Sequence, residues 1–279
     1  MFDHRLTGSR RAGARAANLR DAIAADGADD NGIAPRAAGA ALVVIDVQND
    51  FTLPGAPAEI AGTMAVVPNI ARLLAAFRAA GRPIVHVVRL YAPDGSDAEP
   101  VRRPQLRAGG HIVAPGSDGA EIVTALKPAP ELRLDAARLL AGEAQPLTAN
   151  GAFAANGSFA ANGSFAGNEH VIYKPRWGAF YRTTLEPHLR HLGVDTIVLA
   201  GCNFPNCPRT TLYEASERDF RLALPTDAVS GVYDRGLTEV AAIGVALTRT
   251  DAVVGWIGGM AGELASDLAE DLAGDLAGD

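Results

Sequence analysis

Three side chains of complementary chemistry stand next to stretches of apolar residues. Asp46 interrupts the β-branched stretch Ala41–Val47, and Lys174 ends the short stretch His170–Lys174. Cys207 stands at the predicted start of a helix, where the N–H groups of the first turn would favour a thiolate. A thiol becomes a nucleophile when a base takes its proton, and a carboxylate can be that base while an ammonium group favours developing negative charge. If the fold brings the three together, they predict nucleophilic catalysis by a thiol.

Each of the three residues also has a purely structural interpretation. An aspartate at a strand end is often a cap or turn residue, and a single cysteine near a helix start is often a small buried hydrophobic residue. Lys174 is unusual because Lys127 is the only other lysine among 25 basic residues. An ammonium is a compact point charge, so a lysine can act where a planar guanidinium cannot. Spacing alone leaves both interpretations open.

The composition argues against several classes of protein. With 279 residues the chain is long enough for one large domain with its own core. Its net charge of −7, from 32 acidic and 25 basic residues, argues against binding to nucleic acid or to an anionic membrane surface. No stretch of about 18 or more consecutive apolar residues occurs, so no membrane span is predicted. Residues 1–40 lack the apolar core of a signal peptide, which favours a cytoplasmic location.

The pattern of apolar stretches predicts a doubly wound, three-layer α/β/α domain with a six-stranded, mostly parallel sheet. Chemistry in such a sheet gathers beyond the carboxyl ends of its strands, which is where Asp46 and Lys174 stand. The predicted strands are Ala41–Val47, Pro83–Arg89, His170–Lys174, Thr196–Ala200, Phe220–Pro225 and Ala252–Trp256. The predicted helices are Met64–Ala80, Leu132–Leu140, Thr183–Leu192, Pro208–Arg218 and Leu237–Thr248.

Segments of biased composition surround and interrupt this domain. We predict a flexible N-terminal arm over residues 1–40, a catalytic domain over 41–257 and an acidic low-complexity tail over 258–279. An irregular stretch over about 115–168 contains three near-copies of the hexapeptide ANGSFA. It is either an inert insertion, or a lid or subunit contact.

Three motifs in order resemble the isochorismatase-like cysteine hydrolase superfamily. They are LVVIDVQNDF at Leu42–Phe51, VIYKPRWGAFYRTTLEPHL at Val171–Leu189, and GVDTIVLAGCNFPNCPRTTLYEASERDF at Gly193–Phe220. The superfamily includes nicotinamidases, N-carbamoylsarcosine amidohydrolase, ureidoacrylate amidohydrolase and isochorismatases. The resemblance covers roughly Ala41–Ile257 and implies a Rossmann-like, six-stranded, mostly parallel sheet between helices.

The resemblance also implies a mechanism for a Cys-Asp-Lys triad. Asp46 would take the proton of Cys207, whose sulfur would attack a carbonyl carbon to give a thioester that water then hydrolyses. Lys174 would stabilise the charged partners. A cis peptide between Cys202 and Asn203 would let the N–H groups of Asn203 and Cys207 form an oxyanion hole.

The chain departs from the superfamily pattern in its nucleophile segment and after its first motif. Phe204 and Pro205 replace the residues that usually precede the cysteine in the superfamily. The substrate of a characterised member therefore cannot be assigned to this chain. Residues 51–55 lack the histidine of the nicotinamidase metal cluster, so we expect no metal and no cofactor. Cys207 favours cleavage of a C–N bond over the acid-catalysed cleavage of an isochorismate-type vinyl ether, which remains an alternative. A catalytically silent oligomeric or binding scaffold is the alternative of a different class.

Residues near the motifs are the candidate substrate contacts. Arg89 and Tyr91 follow the second predicted strand, and Trp177 and Phe204 flank the motifs. The expected partners are a small amide, carbamoyl or ureido substrate and further copies of the chain in a dimer or tetramer. Neither nucleic acid nor a membrane is expected.

Overall fold

A computed structural model describes residues 32–147 and 168–259. The predicted acidic tail and the hexapeptide repeats lie outside these residues, apart from 258 and 259 of the tail, as does most of the predicted N-terminal arm. The first described residues approach the sheet: the N–H of Arg36 donates to Thr196 Oγ1, and the guanidinium of Arg36 pairs with Asp195.

The domain is built on one seven-stranded sheet of spatial order β3-β4-β2-β1-β5-β6-β7. All neighbouring strands run parallel except β3, which is antiparallel to β4. Every residue of β1 and β5 is buried, as a central parallel strand covered on both faces requires. The strands are β1 Ala40–Ile45, β2 Ile84–Val88, β3 Gln145–Pro146, β4 Glu169–Tyr173, β5 Thr196–Gly201, β6 Arg221–Pro225 and β7 Val245–Thr248.

The described helices cover both faces of the sheet. Alternate residues of β1 separate the two cores: Leu42 and Val44 pack on one side with α2, and Val43 and Ile45 on the other with α5 and α6. No helix among the described residues is long and apolar enough to cross a membrane. The helices are α1 Asn49–Thr52, α2 Thr63–Ala79, α3 Arg103–Arg107, α4 Ala136–Leu140, α5 Leu185–His191, α6 Cys207–Ser216, α7 Asp234–Ala241 and, as α8, residues 250–259.

The predicted fold class is confirmed, with two corrections to its elements. The sheet has a seventh strand, because the two-residue β3 adds an antiparallel edge to the six parallel strands. The last predicted strand, Ala252–Trp256, is wrong: these residues are helical, and the final strand is β7, inside the predicted helix Leu237–Thr248. Gly244, at a φ of 89°, separates α7 from β7. Short apolar stretches do not distinguish helix from strand by periodicity.

A buried ionic cluster ties α2 to the sheet at the start of β4. Arg78 donates through Nε and Nη2 to the two carboxylate oxygens of Glu169, at 2.8 and 2.7 Å. His86 Nε2, on β2, lies 2.8 Å from Glu169 Oε1. Burial alone would raise the pKa of Glu169, but the hydrogen bonds from Arg78 and His86 lower it to about 2. The ionised carboxylate is therefore part of the folded state.

We expect Glu169→Gln to remove an acid-dependent part of the stability. Because the folded-state pKa is lowered, this contribution is complete above the ordinary value of 4.5 and is lost as the pH falls toward 2. It amounts to about 3 kcal/mol at neutral pH. Urea unfolding across that pH range should show a shallower acid decline for Glu169→Gln than for the exposed control Glu131→Gln. Equal declines would contradict the assignment.

Candidate active site

The first component of the site is Asp46, directly after β1. Its backbone has a φ of 54°, a left-handed conformation that few non-glycine residues adopt and that costs about 1–3 kcal/mol. Hydrogen bonds from the Asp46 N–H to Val87 O, and from the Gln48 N–H to Asp46 O, fix this turn at 2.9 and 2.8 Å. The carboxylate is thereby directed into the space beyond the sheet rather than continuing the strand.

Lys174 is positioned in the same way at the end of β4, where its N–H donates to Val88 O at 2.9 Å. Its side chain is only 1% exposed. Nζ lies 2.8 Å from Asp46 Oδ2, 3.4 Å from Cys207 Sγ and 3.1 Å from Arg176 O. The ammonium therefore contacts both the carboxylate and the thiol.

Cys207 is the first residue of α6, and Pro208 occupies a helix-start position where its missing N–H costs nothing. The chain arrives there from β5 through Gly201, at a φ of 119°. Any Cβ at Gly201 would collide with the Ile45 backbone, so this passage requires glycine. The structure thus brings the predicted Asp46, Lys174 and Cys207 together at the carboxyl ends of the strands.

The predicted cis peptide between Cys202 and Asn203 is wrong for this structure, in which no peptide bond between described residues is cis. Other contacts set the path of this loop. The N–H of Cys202 donates to Ile45 O and the N–H of Phe204 to Ser230 O. With both ends fixed and Gly201 supplying the unusual dihedral, the chain reaches α6 through trans bonds, the state of lower free energy before a non-proline residue.

Electrostatics keep the thiol protonated at rest. Burial and, to a lesser extent, the negative charge of Asp46 together raise the pKa of Cys207 to about 12, although the charge of Lys174 opposes both. Burial would lower the pKa of Lys174, but the charges of Asp46 and of Cys207 when ionised raise it well above its ordinary value. The resting site is therefore a neutral thiol beside a carboxylate–ammonium pair.

A small cleft of about 360 Å³, including its open mouth, leads to the three side chains. Arg89, Tyr91 and Trp177 line it as predicted, together with Asn203. Phe204, also predicted as a substrate contact, is fully buried and packs edge-on against Tyr233. That prediction is wrong, because the large aromatic ring fills the core beneath α6 and α7 instead.

Arg89 supports the wall of the cleft through contacts to the protein. It is 2% exposed, stacks 3.9 Å from the centroid of the Tyr91 ring, and lies 3.6 Å from Glu99. Its Nη2 donates to Asp97 O at 3.0 Å. Tyr91 donates its hydroxyl to Glu99 at 2.8 Å, so both side chains are held before any ligand arrives.

Two buried residues that position the site were not predicted from the sequence. Gln48 Nε2 donates to Arg89 O and Ala120 O, and its Oε1 accepts from the Arg89 N–H, all within 2.8 Å. Thr211 Oγ1 donates to Cys207 O at 2.7 Å and accepts from the Ala179 N–H at 3.1 Å, which joins α6 to the segment that follows Lys174. Both are fully buried polar residues that lie within the first and third motifs, and this position was the signal in the sequence that could have identified them.

The first part of the stretch predicted as an insertion supports the chain near Asp46. The N–H of Asn49 donates to Glu121 O and that of Val123 to Val47 O. Lys127, the second lysine, is buried in an ion pair with Glu121 at 2.8 Å. Residues 118–127 therefore brace the chain just after Asp46. Within the described residues, no group of three or more His, Cys, Asp or Glu side chains could hold a metal ion.

Comparison with known proteins relates this geometry to an enzyme family. Residues 40–137 and 160–252 match the Isochorismatase domain, so the interval outside the match is 138–159, shorter than the predicted insertion. Maleamate amidohydrolase of Pseudomonas putida is 30% identical over 218 residues, 76% of this chain and 84% of that protein. A protein of Arabidopsis thaliana named "probable inactive nicotinamidase" is 30% identical over 193 residues, 68% of this chain and 80% of that protein.

A solved structure shares the fold as well as the sequence. An isochorismatase family protein from Desulfovibrio vulgaris has a TM-score of 0.61 and 36% sequence identity, over 77% of this chain and 96% of that chain.

Asp46 and Lys174 shift the pKa of the Cys207 thiol in opposite directions, and this can be tested by titration. Asp46→Asn removes a negative charge that raises the pKa of Cys207, so the pKa should fall; Lys174→Gln removes the charge that lowers it, so the pKa should rise. The measurement is the pH dependence of Cys207 alkylation by iodoacetamide, with the site of modification mapped by peptide mass. A shift of the same sign in both variants would contradict the arrangement.

Proposed function

This chain belongs to the isochorismatase family and is a hydrolase, and from that premise we propose that it cleaves the C–N bond of a small amide, carbamoyl or ureido compound through a Cys207 thioester. The observation that carries the proposal is the buried contact of Lys174 Nζ with both Asp46 Oδ2 and Cys207 Sγ. Relatives named amidohydrolases, maleamate amidohydrolase among them, support the reaction type.

The free oxygen of Asp46 supplies the base. Oδ2 is engaged by Lys174, whereas Oδ1 is buried and has no hydrogen-bond partner among the described residues. Oδ1 takes the proton of the thiol as Sγ forms its bond to the carbonyl carbon. The carbonyl π electrons move to oxygen, so the negative charge passes from sulfur to the oxyanion, and Lys174 holds the carboxylate in place.

Collapse of the tetrahedral intermediate breaks the C–N bond. The departing nitrogen takes the proton that Asp46 received, which leaves an acyl group on Sγ as a thioester. Asp46 then removes a proton from a water molecule, whose oxygen attacks the thioester carbon. Release of the acid returns the proton to Sγ and restores the resting site.

The oxyanion needs donors beyond the triad, and we assign this role to the N–H groups of Asn203 and Cys207, with the peptide bond between Cys202 and Asn203 trans. Cys207 opens α6, so its N–H has no carbonyl of a preceding helical turn to donate to. Asn203 lines the same cleft one loop earlier. Loss of one such donor typically costs about 10²–10³ in rate.

The proposal extends to the setting of the enzyme. A nucleophile that must remain a free thiol suits the reducing cytoplasm, and both cysteines of the described chain are free. A dimer or tetramer is proposed because large apolar side chains stand exposed near the cleft: Trp177 lines the cleft, and Tyr181 lines a neighbouring surface pocket together with Trp177.

We expect Cys207→Ala to abolish ammonia release from a panel of small amides and ureas, with a loss of at least about 10³-fold. Lys174→Arg should lose about tenfold or more, because the larger planar group displaces the carboxylate and thiol that Nζ contacts. Lys127→Arg is the matched control, since it alters the other buried lysine without touching the cleft. Quenched reactions of the wild type should show an acyl adduct on Cys207 by intact mass.

Three results would contradict the proposed thiol hydrolase. Wild-type activity in Cys207→Ala would remove the thiol from the mechanism. Release of pyruvate from a vinyl ether such as isochorismate, with no turnover of any amide, would favour the alternative reaction. No turnover and no Cys207 adduct would favour a silent scaffold.

A further inference from the structure

We infer that the cleft selects amides whose other end carries a carboxylate, and that Arg102 binds that carboxylate; this rests on the proposed function. Arg102 stands just before α3 and is half-buried with its side chain lining the cleft. It lies outside the three sequence motifs. Nothing in the triad chemistry uses it.

The guanidinium of Arg102 differs from its neighbours in having no protein partner. Within the described part of the chain it has neither a hydrogen-bond acceptor nor a carboxylate, although its own N–H donates to Glu99 O. By contrast, Arg103 donates to Ala98 O, and Arg176 to Asp97 O and Pro175 O. Arg89 is held by Glu99, Asp97 and the ring of Tyr91. Arg102 is thus the arginine of this group that remains available to a ligand.

The charges that line the cleft favour an anionic ligand. The lining includes the cations Arg89, Arg102 and Lys174 and a single anion, Asp46. Lys174 and Asp46 neutralise each other at 2.8 Å, and Arg89 is paired with Glu99 at 3.6 Å, so Arg102 is the cation of the lining that has no carboxylate partner among the described residues. The whole chain, by contrast, has a net charge of −7. A cation without a carboxylate partner in a cleft attracts small anions.

The shape of the unpartnered group narrows the anion to a carboxylate. A guanidinium presents a planar pair of N–H donors that match the two oxygens of a carboxylate. Arg102 and Cys207 both line the same cleft. The amide carbonyl has to lie at Cys207, so the carboxylate extends toward the wall that Arg102 forms. The substrate class is therefore a short amide or ureido acid.

Two alkylating reagents that differ in charge test the inference without knowledge of the substrate. Iodoacetate and iodoacetamide carry the same reactive carbon, but only the first carries a carboxylate. We expect the ratio of their rates at Cys207 to be about three- to tenfold higher in the wild type than in Arg102→Gln. Any change in the reactivity of the thiol itself affects both reagents and leaves the ratio unchanged.

Matched variants separate a local effect from a change in net charge. Arg107→Gln removes an exposed arginine of α3 and should keep the wild-type ratio, whereas Arg102→Lys should keep most of it because the charge remains. In turnover, the wild type should prefer succinamate to the neutral succinamide, and Arg102→Gln should lose that preference through a higher KM for succinamate.

The outcomes distinguish this inference from the function on which it rests. Alkylation of Cys207 with equal ratios in the wild type and Arg102→Gln overturns the role of Arg102 and leaves the thiol hydrolase intact. An equal fall of the ratio in Arg107→Gln also overturns it, because the effect would then be one of net charge. If neither reagent modifies Cys207 in the folded protein, the proposed nucleophile is inaccessible and both proposals fail.

Discussion

The buried ion pair between Lys174 and Asp46 is the interaction on which the rest of the site depends. Removing two charges from water costs several kcal/mol each, and their attraction offsets this only when the geometry is held. An apolar pair of similar size would stabilise the core at least as well. The pair therefore contributes little to stability, and its consequence is chemical: it fixes a carboxylate and an ammonium beside the sulfur of Cys207.

Holding that pair requires backbone geometry that the sheet alone does not supply. Asp46 adopts a left-handed φ, and Gly201 admits the Ile45 backbone where no Cβ would fit. Gln48 connects the turn after β1 to the end of β2 and to residues 118–127. Thr211 connects α6 to the segment that follows Lys174. The parallel strands bring the three functional side chains to one edge, and these local contacts set their final positions within hydrogen-bond distance.

The sequence was sufficient for the fold class and for the meeting of Asp46, Lys174 and Cys207, because each residue stands at a strand end or helix start and parallel strands share one edge. Prediction from the sequence failed where two different structures have similar local sequence patterns. Phe204 flanks the nucleophile in sequence, but its side chain turns into the core. Val245–Thr248 is too short for periodicity to identify as β7. The path from Gly201 to Cys207 depends on long-range backbone contacts, which a motif does not encode.

The protonated resting thiol is consistent with the anionic ligand proposed for Arg102. A preformed thiolate at the base of the cleft would repel a ligand carboxylate and would also pair with Lys174, weakening the hold of the lysine on Asp46. With the pKa of Cys207 raised to about 12, the sulfur is neutral while a ligand enters, and Arg102 meets no competing negative charge from it. In the proposed mechanism, negative charge then develops on sulfur only as its proton moves to Asp46, and it passes at once to the carbonyl oxygen. A site of this kind couples ionisation of its nucleophile to the arrival of the carbonyl group, and burial is the physical cause of that coupling.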